Sequence, residues 1–187
     1  EIILGNVPPH LLADAEKLEW IQLNSAGSDA YCAPGILRPD VLLTSASGAY
    51  GLAVAEGMLA MTMALCRKMD LYAGNQAKKL WQAEGEISSV WNSTSLILGL
   101  GDIGQEYARR MKALGSYTIG IRRNVSEKPD YMDELHTMDD LEKLLPRADF
   151  VAMSLPSTSE THHLMDEKRL LMMKKGSYLI NAGRGDA

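Results

Sequence analysis

Three glycines near the middle of the chain have a spacing that suits phosphate binding. Gly99, Gly101 and Gly104 form the pattern GxGxxG directly after an apolar segment. When such a pattern joins a strand to a helix, the first glycine permits a tight turn, the second lets the backbone approach a pyrophosphate, and the third lets the helix pack on the strand. The first helix amides then face the anion. We therefore expect this turn, including Asp102 and Ile103, to bind a dinucleotide; an ordinary glycine turn is the alternative.

Two arginines follow the next apolar segment. Arg122 lies eighteen positions after Gly104, where folds that prefer NAD usually have an acidic residue for the ribose 2′-hydroxyl. The guanidinium groups of Arg122 and Arg123 instead suit a 2′-phosphate, both by charge and by the geometry of their donors. The sequence therefore predicts NADP as the preferred cofactor, with NAD possible. The alternative is that the two arginines only end a strand at a solvated surface.

Short apolar segments alternate with helical patterns along the whole chain. Strands are predicted at residues 2–4, 20–23, 41–44, 95–98, 117–121, 150–155 and 177–180. Helices are predicted at residues 9–18, 52–80, 104–114, 139–145 and 166–173. Gly74 and Asn75 are expected to break the second helix. Because short apolar strands separated by helices are typical of a parallel sheet with covered faces, we predict an α/β fold with a doubly wound parallel sheet.

The composition excludes several classes of protein. The chain has 187 residues, 46% of them hydrophobic and 23% charged, and a formal net charge of -5. This composition is globular, and the negative charge argues against nucleic-acid binding, which needs a clustered basic surface. The longest apolar stretch, residues 51–66, contains Glu56 and is too short to cross a membrane. Cys32 and Cys66 lie in unlike contexts, so neither a disulfide nor a metal site is predicted, and a reducing cytoplasm is expected.

Four motifs occur together in this sequence. They are NSAGSD at residues 24–29, VAE at 54–56, the glycine-rich turn, and NAGRG at 181–185. With these motifs the chain resembles the D-isomer-specific 2-hydroxyacid dehydrogenase family, which includes glyoxylate, hydroxypyruvate and phosphoglycerate dehydrogenases. The motif at 181–185 is the most specific of the four, because it is not a general feature of Rossmann folds.

The resemblance implies two domains. Residues 1–51 would be part of a flavodoxin-like substrate domain. Residues 52–187 would be a Rossmann NAD(P)-binding domain that includes the interdomain helix and is incomplete at its carboxyl end, so that the chain is expected to be truncated at both ends. If the strand order is 3-2-1-4, segment 177–180 lies at the sheet edge although its sequence is that of a buried strand.

The resemblance also implies roles for individual residues. Arg184 would be the catalytic arginine that orients the substrate carboxylate and polarises the keto oxygen, a task that suits a permanently charged, planar group. Ala26 and Gly27 would bind the substrate carboxylate through backbone amides, unless they form a plain turn. Further cofactor contacts would come from Ser154, Leu155, Pro156, Ser157, Ala182 and Gly183.

The family's mechanism also uses a histidine and a carboxylate, which are both expected downstream of Arg184. The histidines of this chain do not match that pattern and are predicted to be surface residues: His10, His136, His162 and His163. The chain by itself is therefore not expected to catalyse the reaction.

These features predict an oxidoreductase that transfers a hydride between NADP(H) and a small D-2-hydroxy acid or 2-keto acid. The resemblance suggests glyoxylate or hydroxypyruvate. A non-catalytic dinucleotide sensor or corepressor on the same fold is the alternative, although Arg184 argues against it. A hydrolase or transferase with a Rossmann fold would leave Ala26, Gly27 and Arg184 unexplained. The resemblance implies a homodimer, and the Met-rich stretch 58–65 would suit its contact unless that stretch packs inside the chain's own core.

Overall fold

The chain forms two compact units, residues 1–50 and 51–187. The computed structural model describes residues 1–124 and 127–187. Each unit contains its own parallel sheet, and helices flank the larger one, which confirms the predicted α/β fold. Within the described residues, no helix is both long enough and apolar enough to span a bilayer.

The first unit is built on three parallel strands in the order β1-β2-β3. The strands are β1 (Ile2–Leu4), β2 (Trp20–Gln22) and β3 (Leu42–Thr44). A small core packs against this sheet and consists of Leu12, Leu18, Ile21, Leu23 and Tyr31.

The helix predicted at residues 9–18 is wrong. A single 3₁₀ turn, Pro9–Leu11, is followed by turns as far as β2. Leu12 and Leu18 are both buried but lie six residues apart, a spacing that places them on different faces of an α-helix. The irregular backbone allows both side chains to enter the same core.

The helical region predicted at residues 52–80 consists of two helices, α1 (Gly51–Cys66) and α2 (Met69–Ala77). The break was predicted at Gly74 and Asn75, which lie inside α2. It occurs instead at Lys68, whose φ of 53° is left-handed and stops the regular hydrogen bonding. The side chains of Lys68 and Asn75 both donate to Glu84, which holds the segment after α2 against this break.

The second unit contains five parallel strands in the order β6-β5-β4-β7-β8. The strands are β4 (Thr94–Leu98), β5 (Tyr117–Ile121), β6 (Glu134–His136), β7 (Phe150–Met153) and β8 (Tyr178–Asn181). The helices that follow α2 are α3 (Asp102–Ala113), α4 (Leu141–Leu144) and α5 (Glu167–Met172).

Strand β6 was not predicted, because Glu134-Leu135-His136 is short and has a single apolar residue. Its presence changes the strand order. The predicted order placed segment 150–155 beside 117–121, whereas β7 pairs with β4, and β5 pairs with β6. Strand β8 lies at the sheet edge as expected.

Both faces of the second sheet are covered. Ile97 of β4 faces the core that contains Met58 of α1 and Tyr107 of α3. Its neighbours Leu96 and Leu98 face the opposite core, which includes α4. This alternation follows from the two-residue period of a strand, and it explains why residues 96–98 of β4 are all apolar.

Candidate functional site

The carboxyl ends of the parallel strands of the second unit lie at one edge of its sheet. The glycine-rich turn follows the central strand β4, and the segments after β5 and β7 flank it on either side. Helix α3 begins at Asp102, so its positive amino end also lies at this edge. A crevice outside the carboxyl ends of the strands is where doubly wound sheets bind ligands.

A cleft of about 540 Å³ occupies this position. The predicted site residues that line it are Gly99, Gly101, Arg122, Arg123, Leu155 and Pro156. The prediction missed other residues of its wall, which include Leu100, Asn124, Thr137, Met138, Asp139, Glu160 and Thr161.

The three glycines differ in their surroundings. Gly99 has a φ of +91°, and a Cβ there would lie 3.0 Å from the Ser154 carbonyl oxygen. A Cβ at Gly104 would lie 1.8 Å from the Gly99 carbonyl oxygen, so this position packs α3 against the turn. A Cβ at Gly101 would meet no atom within 4 Å. Open space lies above Gly101 at the amino end of α3, which fits a turn that lets an anionic ligand approach the backbone.

Asp102 and Ile103 use their side chains within the protein. The Asp102 carboxylate accepts a hydrogen bond of 2.8 Å from the backbone amide of Gly51, the first residue of α1. Ile103 packs against the apolar core on the α1 side of the sheet. Neither residue lines the cleft, and their part in cofactor binding stays a prediction.

The segment after β7 holds the glycine-rich turn in place. The Ser154 hydroxyl donates to the Gly99 carbonyl oxygen at 2.9 Å. Leu155 and Pro156 form one wall of the cleft, while Ser157 donates to the Asp186 carboxylate at 2.6 Å. That hydrogen bond lowers the pKa of Asp186 below its usual value.

The opposite wall comes from the segment that follows β6 and includes Thr137 and Asp139. Glu134 anchors this strand: it accepts hydrogen bonds from Tyr117 Oη at 3.0 Å and from Arg147 Nη1 at 3.0 Å. His136 Nε2 lies 2.8 Å from the same carboxylate. The hydrogen bonds from Arg147 are the main reason why the pKa of Glu134 falls to about 2.

The loop that carries Arg184 is fixed at several points. Asn181 accepts from the Gly183 amide at 2.9 Å and donates to the Arg184 carbonyl oxygen at 2.8 Å. A Cβ at Gly183 would lie 2.5 Å from the Leu155 carbonyl oxygen, so only glycine allows this close approach. Ala182 packs on the apolar core. Asn181 is a positioning residue that the site prediction missed, although it begins the NAGRG motif.

Ala26 and Gly27 belong to the first unit, in the loop after β2. Ser25 donates to the Gly27 carbonyl oxygen at 3.0 Å, and the Asn6 side chain accepts from the Asn24 amide at 2.8 Å. Ala26 is exposed. The loop is therefore held by polar contacts while its tip remains accessible.

The histidines agree only in part with the prediction that they are surface residues. His10, His162 and His163 are exposed. His136 is half-buried, and its Nδ1 lies 3.2 Å from Asp140. It connects two carboxylates behind the cleft wall.

Comparison with known families provides the decisive observation. The family model described as the NAD-binding domain of D-isomer-specific 2-hydroxyacid dehydrogenases matches residues 59–187. The chain belongs to the D-isomer-specific 2-hydroxyacid dehydrogenase family. The match covers the glycine-rich turn, both arginines and the loop of Arg184, so the predicted resemblance is confirmed.

Known dehydrogenases of this family resemble the chain over nearly its whole length. Glyoxylate/hydroxypyruvate reductase B of Erwinia tasmaniensis is 32% identical, with 97% of this chain and 58% of the relative covered. A family member from Aeromonas salmonicida has a TM-score of 0.89 and 35% identity, and the match covers 100% of this chain and 60% of that one. D-lactate dehydrogenase of Aquifex aeolicus, solved with NAD and lactic acid, has a TM-score of 0.82, 25% identity and coverage of 100% and 57%. The chain thus spans less than two thirds of these relatives.

Proposed function

We propose that this chain is part of an oxidoreductase that transfers a hydride between NADP(H) and a small D-2-hydroxy acid or 2-keto acid. The observation that carries the proposal is the open space above Gly101, at the amino end of α3 and within the cleft of a matched NAD-binding domain. Backbone amides and a helix dipole at that point favour a pyrophosphate. When bound, the reduced nicotinamide supplies the hydride.

The proposed preference for NADP rests on the two arginines. Arg122 and Arg123 line the cleft directly after β5, at the distance from the glycine-rich turn where a ribose reader is expected. Guanidinium groups bind a 2′-phosphate with charge-assisted hydrogen bonds. NAD lacks that phosphate and gains less from these side chains.

Arg184 is the proposed catalytic residue. Its loop is fixed by Asn181, so the guanidinium projects from a defined backbone. A fixed cation can hold a carboxylate and draw electron density from a keto oxygen, which lowers the barrier for hydride addition. The exposed loop at Ala26 and Gly27 is proposed to donate backbone amides to the substrate carboxylate. Residues 1–51 are accordingly proposed as part of the substrate domain, and residues 52–187 as the dinucleotide-binding domain.

A homodimer is proposed through the outer face of α1. Within the stretch 58–65, Met58 and Thr62 are buried in the chain's own core, whereas Met61 is 54% exposed and Met63 and Leu65 are also exposed. Met61 and Leu65 lie one helical turn apart on one side of α1, whereas Met63 lies on the other side; the exposed apolar pair Met61 and Leu65 favours association with a second copy. Analytical ultracentrifugation should find a dimer that Met61→Glu weakens; a monomer at micromolar concentration would contradict this assembly.

The experiment that tests the function is a fluorescence titration with NADPH and NADH in parallel. We expect tighter binding of NADPH, and we expect Arg122→Asp to remove or reverse the preference because it places an acid beside the ribose. Arg67→Asp is the matched control, since Arg67 is exposed and does not line the cleft. Equal binding of both dinucleotides would contradict the NADP preference, and no binding to the folded chain would contradict the function.

A further inference from the structure

An acidic residue lies opposite the proposed phosphate readers. Glu160 Oε2 is 4.0 Å from Nη2 of Arg123. Arg123 follows β5 and Glu160 follows β7, the two strands on either side of β4. Both side chains line the cleft, so the pair spans its mouth.

The cleft wall carries side chains of both charge signs. Arg122 and Arg123 contribute two positive charges, and Asp139 and Glu160 contribute two negative ones. A 2′-phosphate carries close to two negative charges, whereas a ribose hydroxyl carries none. A carboxylate paired with Arg123 therefore competes with the 2′-phosphate of the phosphorylated dinucleotide for this guanidinium, and it leaves the dinucleotide without that phosphate almost unaffected.

We propose that Glu160 is a specificity-determining residue, which competes with the ribose 2′-phosphate for Arg123 and so limits the preference for NADP. The inference rests on the proposed function and adds a third residue, beside Arg122 and Arg123, to its cofactor selection. The side chains of Arg123 and Glu160 are 76% and 79% exposed. Water screens a pair of this kind, so the phosphate displaces Glu160, and the competition lowers the affinity for NADPH several-fold without preventing its binding. Consequently the difference in affinity between the two dinucleotides is smaller than it would be without this carboxylate.

The test is a set of titrations on Glu160→Gln, which removes the charge and keeps the shape. The probes are NADPH, NADH, adenosine 2′,5′-bisphosphate and AMP; the last two differ only in the 2′-phosphate. We expect NADPH and the bisphosphate to bind about three- to ten-fold more tightly to the variant, and NADH and AMP to change by less than about two-fold. Glu167→Gln is the matched control, because Glu167 is exposed on α5 and does not line the cleft.

A double-variant cycle tests whether Glu160 acts on NADPH binding through Arg123. If Glu160 acts through Arg123, Glu160→Gln should give no gain for NADPH in an Arg123→Gln background. An undiminished gain there, or an unchanged NADPH affinity in the single variant, would overturn the inference while the proposed function remains. If the unsubstituted chain binds neither dinucleotide, the proposed function fails, and the inference fails with it.

Discussion

Among the single residues of the site, the glycines at 99, 101 and 104 differ in the space that surrounds each missing side chain. At Gly104 a Cβ would overlap the Gly99 carbonyl oxygen, whereas at Gly101 it would point into open space. Gly101 also has a φ of -79°, which any residue adopts. Gly104 therefore serves the packing of α3, whereas Gly101 leaves space for a ligand.

This difference predicts opposite results for two alanine variants. Gly104→Ala should lower the free energy of unfolding by about 1–3 kcal/mol, because α3 must move away from the turn. Gly101→Ala should change it by less than about 0.5 kcal/mol. Urea denaturation followed by circular dichroism measures both values, and equal losses of stability would contradict the assignment.

Several residues that the sequence predicted line the cleft, but the sequence did not predict the direction of each side chain. Gly101, Arg122 and Leu155 line the cleft as expected, because motif spacing fixes which strand end they follow. Asp102 and Ser154 instead bind backbone groups, which spacing alone does not reveal. The residues after β6 were missed together with that strand.

Among the elements, the edge strand β6 is stabilised more by polar side-chain contacts than by the burial of apolar surface. Glu134 joins Arg147 and Tyr117, and its pKa of about 2 reflects that it is stabilised in the charged form. Because the folded-state pKa lies below the ordinary value of 4.5, this contribution is present above pH 4.5 and is lost as the pH falls towards 2.

Glu134→Gln should therefore lower stability at pH 7 by about 1 kcal/mol, and the deficit should disappear near pH 2. Urea denaturation across this pH range is the measurement, with Glu86→Gln as a control because Glu86 is exposed. A deficit that stays constant with pH would show that the charge of Glu134 is not responsible.

Helices α1 and α3 are joined by a buried hydrogen bond. Tyr107 Oη and Thr62 Oγ1 are 2.8 Å apart, and both residues are fully buried. Burial raises the pKa of Tyr107 to about 12, so its stabilising contribution is complete below pH 10 and falls as the pH rises towards 12.

Tyr107→Phe should lower the free energy of unfolding by about 1 kcal/mol at pH 7, because Thr62 loses one partner. The difference from the unsubstituted chain should shrink at pH 11, where the unfolded tyrosine ionises. Denaturation at both pH values tests this, and a difference that grows with pH would contradict it.

The elements that the sequence predicted well are those with a strong apolar pattern. β1 and β5 have the predicted bounds, because each is a short, mainly apolar segment between turns. The break between α1 and α2 was misplaced. Gly74 and Asn75 lower helix propensity by about 1 kcal/mol at most, an amount that other contacts easily override, whereas Lys68 is the left-handed residue and its side chain bonds Glu84. The polar strand β6 likewise has contacts with residues distant in sequence, which join Glu134 to Tyr117 and Arg147.

For the whole molecule, the two units have separate sheets and separate cores. Every residue of the cleft wall belongs to residues 51–187. We therefore expect the fragment 51–187 to fold alone and to bind NADPH within about two-fold of the whole chain. The fragment 1–50 buries only a small core and should be much less stable. Thermal denaturation of both fragments tests this, and an unfolded 51–187 would contradict it.

The most direct test of dinucleotide binding at the glycine-rich turn is calorimetric titration of NADPH into the chain and into Gly101→Ala. We expect one site per chain and at least about ten-fold weaker binding to the variant, because the added methyl occupies the space through which the pyrophosphate approaches. The circular dichroism should be unchanged. Equal affinity in the two proteins, or no binding to the unsubstituted chain, would contradict it.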